Sequence, residues 1–385
     1  MKPLTIIMTD RKGATAIWGL MIPIANALVE QGHKVVFCRL NDGQQRHSLP
    51  VPKQIEVIDI EVPPNQHLWD FYVQHRTFSN RFQQILEQLK PDIVHTNFAI
   101  PAISVRLIAH QQKVPVILST QHELYSSMSS HLRLGMKLTE KWVDAIVSVS
   151  ETVAHSFGYQ SLSIETPKDS EANQQQKTVI YNGIDIASIK NRRLVEKEPH
   201  KLICVGRFVP VKGQAILLQA MPKLLSHFPD IKLVLIGAGT EEFALKKQVE
   251  KLGIAKNVQF RGWLSHEETI AEMATAEILV VPSTGEQEGF GLVVAEGMAL
   301  GIPIVTSDIQ VFREVLGKDD QCGWFFEKKN PESLAKTIGQ VFSQREEAKL
   351  RANNALSRVQ EKFSIERMVK EYLTLYETLA QNINH

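Results

Sequence analysis

Four charged side chains in the second half of the sequence have the types and spacing that could do chemistry. Arg207 and Lys212 sit in "GRFVPVKG", and Glu288 and Glu296 in "EGFGLVVAEGMALG". An arginine fork and a lysine point charge beside a helix amino end suit a diphosphate. A carboxylate accepts hydroxyl hydrogen bonds, so one glutamate suits a sugar and the other a ribose. Taken singly, the cations read as solvated loop residues, Glu288 as a complement to a helix dipole and Glu296 as a surface acid. Glu296, however, is flanked by Val293, Val294, Ala295 and Met298. Carboxylates buried in such surroundings are uncommon without partners.

The elements that must position these residues follow from the apolar pattern. "LICVGR" reads as a strand ending at Gly206, with Arg207 at its tip and Lys212 and Gly213 opening the helix "GQAILLQAMPKLLSHF". "AEILVVPST" is a strand, "GEQEGFG" its loop, and "LVVAEGMALG" a helix closed by Gly301 and Pro303. Glu296 then lies about a turn and a half inside that helix. Gly289 and Gly291 let backbone approach a ligand, and the helix start favours an anion. "IKLVLIG", "VQFRGW" and "IPIVTS" continue the pattern, and the first half shows the same rhythm in "LTIIM", "HKVVFCRL", "IEVIDI", "PDIVHTN", "VPVILST" and "AIVSVS". Strands rich in Val and Ile, alternating with helices, imply parallel sheets covered on both faces. The expected fold class is therefore α/β, with two Rossmann-like parallel domains facing a central cleft, where ligands meet strand carboxyl ends. The expected boundaries are 1–177 and 178–362, with a helix over 363–385 packing back on the first domain. The polar stretch from Pro167 to Lys177, "PKDSEANQQQK", reads as a surface loop.

A length of 385 residues suits two domains. With 43% hydrophobic and 22% charged residues, the composition is that of a soluble globular protein, and no apolar run reaches the roughly 18 residues a span needs. The start, "MKPLTIIMTD", is apolar too briefly for a signal peptide, so the expected location is cytoplasmic. Cys38, Cys204 and Cys322 lack metal-ligand spacing and read as buried reduced thiols. A net charge of +1 gives no reason to bind nucleic acid. In "SSHLRLGMKLTEKWVD", Arg133, Lys137 and Lys141 recur every fourth residue beside Leu134, Leu138 and Trp142. That stripe reads as the solvated face of a core-packed helix, with contact to an anionic membrane surface as the sharper alternative.

"GRFVPVKG", "EGFGLVVAEGMALGIPIV" and the earlier "VIYNGID" together resemble the motifs of the retaining glycosyltransferase family 4 of the GT-B fold, the glycosyl transferases group 1. The resemblance covers nearly the whole second domain. It implies that Arg207 and Lys212 bind a donor diphosphate, that Glu288 contacts the donor sugar and that Glu296 contacts the ribose. It also implies that the backbone at Gly289, Phe290, Gly291 and Leu292 meets sugar and phosphate, and that Trp263 and Leu264 lie near the base. In the first domain it points to His122 of "TQHELY" at the donor sugar, although a lone histidine is more often structural. His95 in "DIVHTN" reads equally well as a packing residue. In "TDRKGATAIWG" only Gly13 stands where the family carries adjacent glycines near the acceptor and phosphates, because Ala14 follows it.

The resemblance further implies transfer of a sugar from a nucleotide diphosphate donor, UDP- or GDP-linked, with retention at the anomeric carbon. The acceptor class is a saccharide or a lipid-linked saccharide in cell-envelope polysaccharide or glycolipid synthesis, with peripheral contact at the cytoplasmic face of the membrane left open. Charge growing on the leaving diphosphate would be met by Arg207, Lys212 and the helix start before Leu292. Neither cofactor nor metal is then expected, and the chain holds no Asp-x-Asp triplet. Glu288 and His122 would act at the sugar. Acceptor choice falls to the loops "DGQQRHSLPVPK", "VPPNQHLWDFYVQHR" and "HELYSSMSSHLR". Two other readings stay open: a nucleotide-sugar epimerase of the same two-lobed fold, and a non-catalytic two-lobed binding protein.

Overall fold

Strands buried on both faces need continuous apolar runs, and the two sets of such runs in this chain form two separate parallel sheets. The computed structural model describes residues 2–13, 15–43, 49–64, 68–160, 175–285, 287–317, 319–381 and 383. The chain divides into one unit of Met1–Gly183 with Ile365–His385 and a second of Ile184–Ser364.

The first unit contains β1 (Thr5–Arg11), α1 (Thr15–Glu30), β2 (Lys34–Asn41), β3 (Glu56–Glu61), α2 (Leu68–Leu89), β4 (Ile93–Thr96), α3 (Ala99–Gln111), β5 (Val116–Gln121), α4 (Ser130–Glu140), β6 (Ala145–Ser148), α5 (Glu151–Ser156) and β7 (Gln176–Val179). Its sheet runs β3-β2-β1-β4-β5-β6-β7, parallel throughout. Ile7, Val36, Val94 and Ile117 of the sheet pack on Phe78 and Phe82 of α2 and on Val105 of α3. Side chains alternate along a strand, so His95 faces away from that layer. There it meets the chain's last helix, which returns to this unit and is described below.

The second unit contains α6 (Ile186–Ile189), β8 (Lys201–Val205), α7 (Gln214–Leu225), β9 (Lys232–Ile236), α8 (Glu242–Lys251), β10 (Val258–Gly262), α9 (His266–Ala274), β11 (Ile278–Val281), α10 (Leu292–Leu300), β12 (Ile304–Ser307), α11 (Gln310–Leu316), β13 (Trp324–Phe326), α12 (Pro331–Ser343) and α13 (Arg345–Lys362). Its parallel sheet runs β10-β9-β8-β11-β12-β13. Leu202, Leu233, Ile278 and Val305 pack beneath Leu217 and Met221 of α7 and Leu334 and Ile338 of α12.

The last helix, α14 (Ile365–Gln381), belongs to the first unit. Its Tyr376 hydroxyl lies 2.7 Å from His95 Nδ1, His95 Nε2 lies 2.8 Å from Thr120 Oγ1, and Thr120 Oγ1 lies 3.1 Å from the Tyr372 hydroxyl. Both nitrogens of His95 are thus used within the core. The glycine of "VIYNGID" has a steric reason: a Cβ on Gly183 would come within 2.5 Å of Ile365 Cα, where α14 begins.

The expected boundary at 177 falls inside β7, which pairs with β6 and carries the first unit on to Gly183. Four residues, only Thr178 of them buried, left no apolar run to read. Gln176 and Lys177, read as the end of a polar loop, are therefore strand, while 161–174 lie outside the described residues. Glu286, Ala14 and parts of the expected acceptor loops, 44–48 and 65–67, also lie outside them.

The basic helix departs from expectation in its packing. Leu134 and Leu138 of α4 are 58% and 59% exposed, and the buried side chains are Met136 and Thr139. The helix is held by Arg106, a buried residue of α3 whose guanidinium donates to the Met136 carbonyl, Thr139 Oγ1 and Ser119 Oγ. The three cysteines are buried and unpaired. No helix among the described residues is long and apolar enough to cross a membrane.

Candidate active site

In the second sheet β8 has β9 on one side and β11 on the other, so the connections leaving β8 and reaching β11 diverge. Ligands of open α/β folds bind outside the strand ends at this kind of switch point. The loops leaving these two strands carry Arg207, Lys212 and Glu288.

After β8 the chain turns at Gly206 and exposes Arg207. One turn of 3-10 helix, Pro210–Lys212, then leads into α7. Gly213 caps α7 at φ 70° and ψ 17°, and no side chain caps its amides. A Cβ at Gly213 would lie 2.1 Å from the Pro282 carbonyl oxygen, so only glycine lets the two loops approach this closely. The buried Gln214 secures the turn from below by donating to the carbonyls of Gly206 and Arg207.

After β11 the Thr284 amide donates to the Val211 carbonyl at 2.8 Å, and Ser307 Oγ donates to the Ser283 carbonyl. These bonds bring Glu288 to Lys212. The Lys212 ammonium lies 2.5 Å from Glu288 Oε1, and Ser283 Oγ donates to the same oxygen at 2.7 Å. Glu288 is only 9% exposed, but both bonds fall on Oε1, leaving Oε2 able to accept from a ligand hydroxyl.

Gly289, Phe290 and Gly291 form the turn into α10. The Phe290 ring is buried edge-on against Phe363, so Phe290 can offer a ligand only its backbone. Gly291 caps α10 at φ 88°, again without a side-chain cap, and Leu292 is its first helical residue. Two helix starts without side-chain caps and two cations therefore serve the same strand ends, which is chemistry for a diphosphate.

Glu296 sits further along α10. Burial pushes its carboxyl up to about 8, and His266 Nδ1 of α9 lies 3.6 Å from its Oε1. Trp263 is exposed and Leu264 half-buried in the loop before α9. A capping box fixes that loop: Ser265 Oγ accepts from the Glu268 amide, and the Glu268 carboxylate accepts from the Ser265 amide.

In the first unit β1 occupies the equivalent central place, with β2 and β4 on either side. Gly13 follows β1 in a left-handed conformation, φ 84°, and His122 follows β5. His122 is half-buried, burial lowers its pKa to about 4, and its Nε2 lies 3.0 Å from Asn97 Oδ1. Asp10 near the end of β1 is pushed up to about 7 by burial; its Oδ1 accepts from the Arg11 amide while Oδ2 has no partner among the described residues.

Lys212, Glu288, the glycine turn and the start of α10 are thus brought together, and Glu296 is joined to His266. Four residues escaped the sequence reading. Ser283, Gln214 and Asn97 have no distinguishing spacing, because their roles are set by bonds between loops. His266 had a legible cue, the "SHEE" capping pattern that places it at the start of α9.

The fold is GT-B, as shown by solved structures that it matches along almost their whole length. Anabaena HepE in complex with UDP and glucose gives a TM-score of 0.76 at 18% identity, covering 98% of this chain and 99% of that one. Sucrose-phosphate synthase from Thermosynechococcus elongatus gives 0.78 at 18% identity, with the same coverage. Residues 185–358 match glycosyl transferases group 1, and residues 21–159 match Glycosyltransferase Family 4. The chain belongs to glycosyltransferase family 4. An uncharacterized glycosyltransferase of Methanocaldococcus jannaschii is 27% identical over 92% of both chains. The phosphatidyl-myo-inositol mannosyltransferase of Mycolicibacterium smegmatis is 35% identical, but the match spans only 39% of each chain.

Proposed function

We propose that the protein transfers a hexose from a nucleotide diphosphate sugar to a saccharide or lipid-linked saccharide with retention, in the building of a cell-envelope polysaccharide or glycolipid. The observation that carries this reading is the meeting of Lys212 and Glu288 beside two helix starts without side-chain caps. The diphosphate is held by Arg207, Lys212 and the amide end of α10 near Leu292. Glu288 takes a hydroxyl of the transferred sugar, as does His122. Glu296 takes the ribose and Leu264 borders the base. Gly289, Phe290 and Gly291 offer backbone to sugar and phosphate, while Gly13 offers it to the acceptor side and the phosphates.

As the bond from the anomeric carbon to the diphosphate oxygen breaks, negative charge moves onto the phosphate, where fixed cations and amides stabilise it without reorganising. The acceptor hydroxyl attacks the same face, its oxygen bonding to the anomeric carbon while its proton passes to the departing phosphate oxygen. This reading needs no metal ion, so transfer should survive EDTA. Where the acceptor is lipid-linked, α4 offers the surface that meets the membrane, with exposed Leu134 and Leu138 beside Arg133, Lys137 and Lys141.

The experiment is incubation with panels of UDP- and GDP-sugars and saccharide or lipid-linked acceptors, reading the product anomer by NMR. An α-linked product from an α-linked donor supports the reading. A β-linked product overturns retention. An epimer formed from donor alone overturns transfer, and no turnover of any donor leaves a binding protein.

A further inference from the structure

Asn97 directly follows β4 and is 1% exposed. Its side-chain Nδ2 lies 3.4 Å from the carbonyl oxygen of Thr9, which also accepts from the Asn97 backbone amide at 3.3 Å. A carbonyl oxygen has no proton to give. The amide group therefore cannot be reversed without placing two acceptors against each other, and Oδ1 is fixed toward His122. That oxygen lies 3.0 Å from His122 Nε2. It can only accept, so Nε2 must carry the hydrogen. A neutral imidazole has one N–H, which leaves Nδ1 with its lone pair. Nδ1 of His122 has no protein partner among the described residues, in contrast to His95, whose two nitrogens are occupied by Tyr376 and Thr120.

We propose that Asn97 is a positioning residue that holds His122 in its Nε2–H tautomer, so that Nδ1 is presented to a hydroxyl of the substrate as a hydrogen-bond acceptor. The identity of that hydroxyl as one on the transferred sugar rests on the proposed function. Thr9 is part of the device, because its carbonyl sets the direction of the Asn97 amide. His122 is an acceptor of a hydrogen bond and not of a proton: burial keeps the ring neutral at pH 7 and a poor base. The titratable groups nearby are Asp10 on β1, His95 on β4 and Glu123 beside His122. Asp10 and Glu123 are both raised by burial, and His95 is lowered by burial and by its neighbour His122.

The test is a long-range nitrogen–proton NMR spectrum of the full chain at pH 7, with the His122 signals identified by their loss in His122→Phe. The unsubstituted protein should show a protonated Nε2 and a bare Nδ1. Asn97→Leu should release the ring to a mixture of tautomers. The near-isosteric Asn97→Asp should raise the His122 pKa, because a carboxylate then faces Nε2, and it keeps the test available should the leucine variant fold poorly. In kinetics, Asn97→Leu should weaken the nucleotide sugar about 10-fold, the size of one neutral hydrogen bond, while the affinity for the nucleoside diphosphate alone stays unchanged. A bare Nε2 in the unsubstituted protein, or an Nε2–H tautomer that persists in Asn97→Leu, overturns the proposal. If the protein moves no sugar yet the tautomers respond as stated, the functional reading fails and the role of Asn97 stands.

Discussion

The Lys212 ammonium and the Glu288 carboxylate lie 2.5 Å apart across two loops, 76 positions apart in sequence, and each neutralises the other. A diphosphate must share Lys212 with that carboxylate. Glu288→Gln should therefore tighten binding of a nucleoside diphosphate while lowering sugar transfer about 100-fold, because the site gains net positive charge and loses its acceptor for the sugar. Lys212→Ala should weaken both. The double variant should be less damaged than the product of the single effects, since the two groups are coupled. Calorimetric titration with UDP and GDP, alongside kcat/KM, reads all three. Equal loss of nucleotide affinity in both single variants would sink the pairing.

Glu296 gives a pH dependence. Burial raises its carboxyl to about 8, with His266 facing it from α9 and Asp185 acting on His266. At pH 7 about a tenth of such a group is ionised, and at pH 9 about nine-tenths. If the carboxylate form accepts the ribose hydroxyls, affinity for a nucleotide sugar should improve about 10-fold between those values. The donor's own diphosphate does not titrate in that range. Glu296→Gln should make the profile flat, and a flat profile in the unsubstituted protein counts against ribose binding.

Much of the second unit was legible because its chemistry is local. The runs "LICV" and "ILVV" mark strands, and the glycines that follow them mark the turns, so Arg207, Lys212 and Glu288 could be placed at strand ends. What stayed hidden depends on bonds between distant segments. Nothing in "GQAILL" says that Gln214 is buried beneath two carbonyls, and nothing in "HTNF" says that Asn97 reaches both Thr9 and His122. The exposed leucines of α4 depart from expectation for the same reason: helical spacing shows that Leu134 and Leu138 share a face, but the neighbouring α3 decides which face is buried.

Two left-handed glycines separate backbone strain from steric exclusion. Gly301 closes α10 at φ 65°, and a Cβ added there would meet nothing within 4 Å, so Gly301→Ala should cost about 1 kcal/mol, the strain of a left-handed alanine. Gly213 has the same kind of dihedral, but its Cβ would lie 2.1 Å from the Pro282 carbonyl oxygen. Gly213→Ala should cost more than about 3 kcal/mol and displace Lys212 from Glu288. Urea unfolding of the two variants checks the difference; similar midpoints would mean that the loops can part freely.

Arg133, Lys137 and Lys141 give α4 a cationic edge beside the exposed Leu134 and Leu138. Vesicles rich in phosphatidylglycerol should retain the protein in sedimentation, and phosphatidylcholine vesicles should not. Replacing both leucines with serine should weaken retention about 10-fold, and replacing the three cations with glutamine about 100-fold. Transfer to a soluble acceptor should be unaffected. Equal retention by both lipids would remove the anionic surface from the proposal.

His95 ties the first and last parts of the first unit together, and its pKa makes that tie sensitive to acid. Burial lowers the ring to about 3 from an ordinary value of 6.5, so the folded chain keeps it neutral where the unfolded chain protonates it. Its contribution is fully present above pH 6.5 and is lost as pH falls toward 3, by up to about 1.4 kcal/mol per pH unit. His122, lowered to about 4, has the same sign. Asp10, raised to about 7, has the opposite sign, because its stabilising contribution is lost as pH rises from 3.8. Tyr372 and Tyr376, the hydroxyl groups facing His95 and Thr120 from α14, are pushed upward and stay protonated throughout. The comparison with His95→Gln isolates one member, since the amide can bond Tyr376 and Thr120 without titrating. Denaturant unfolding between pH 7 and 4 should show the stability advantage of the unsubstituted protein over His95→Gln shrinking as pH falls. A constant difference would mean that His95 takes up its proton alike in the folded and the unfolded chain, so that burial does not hold the ring neutral.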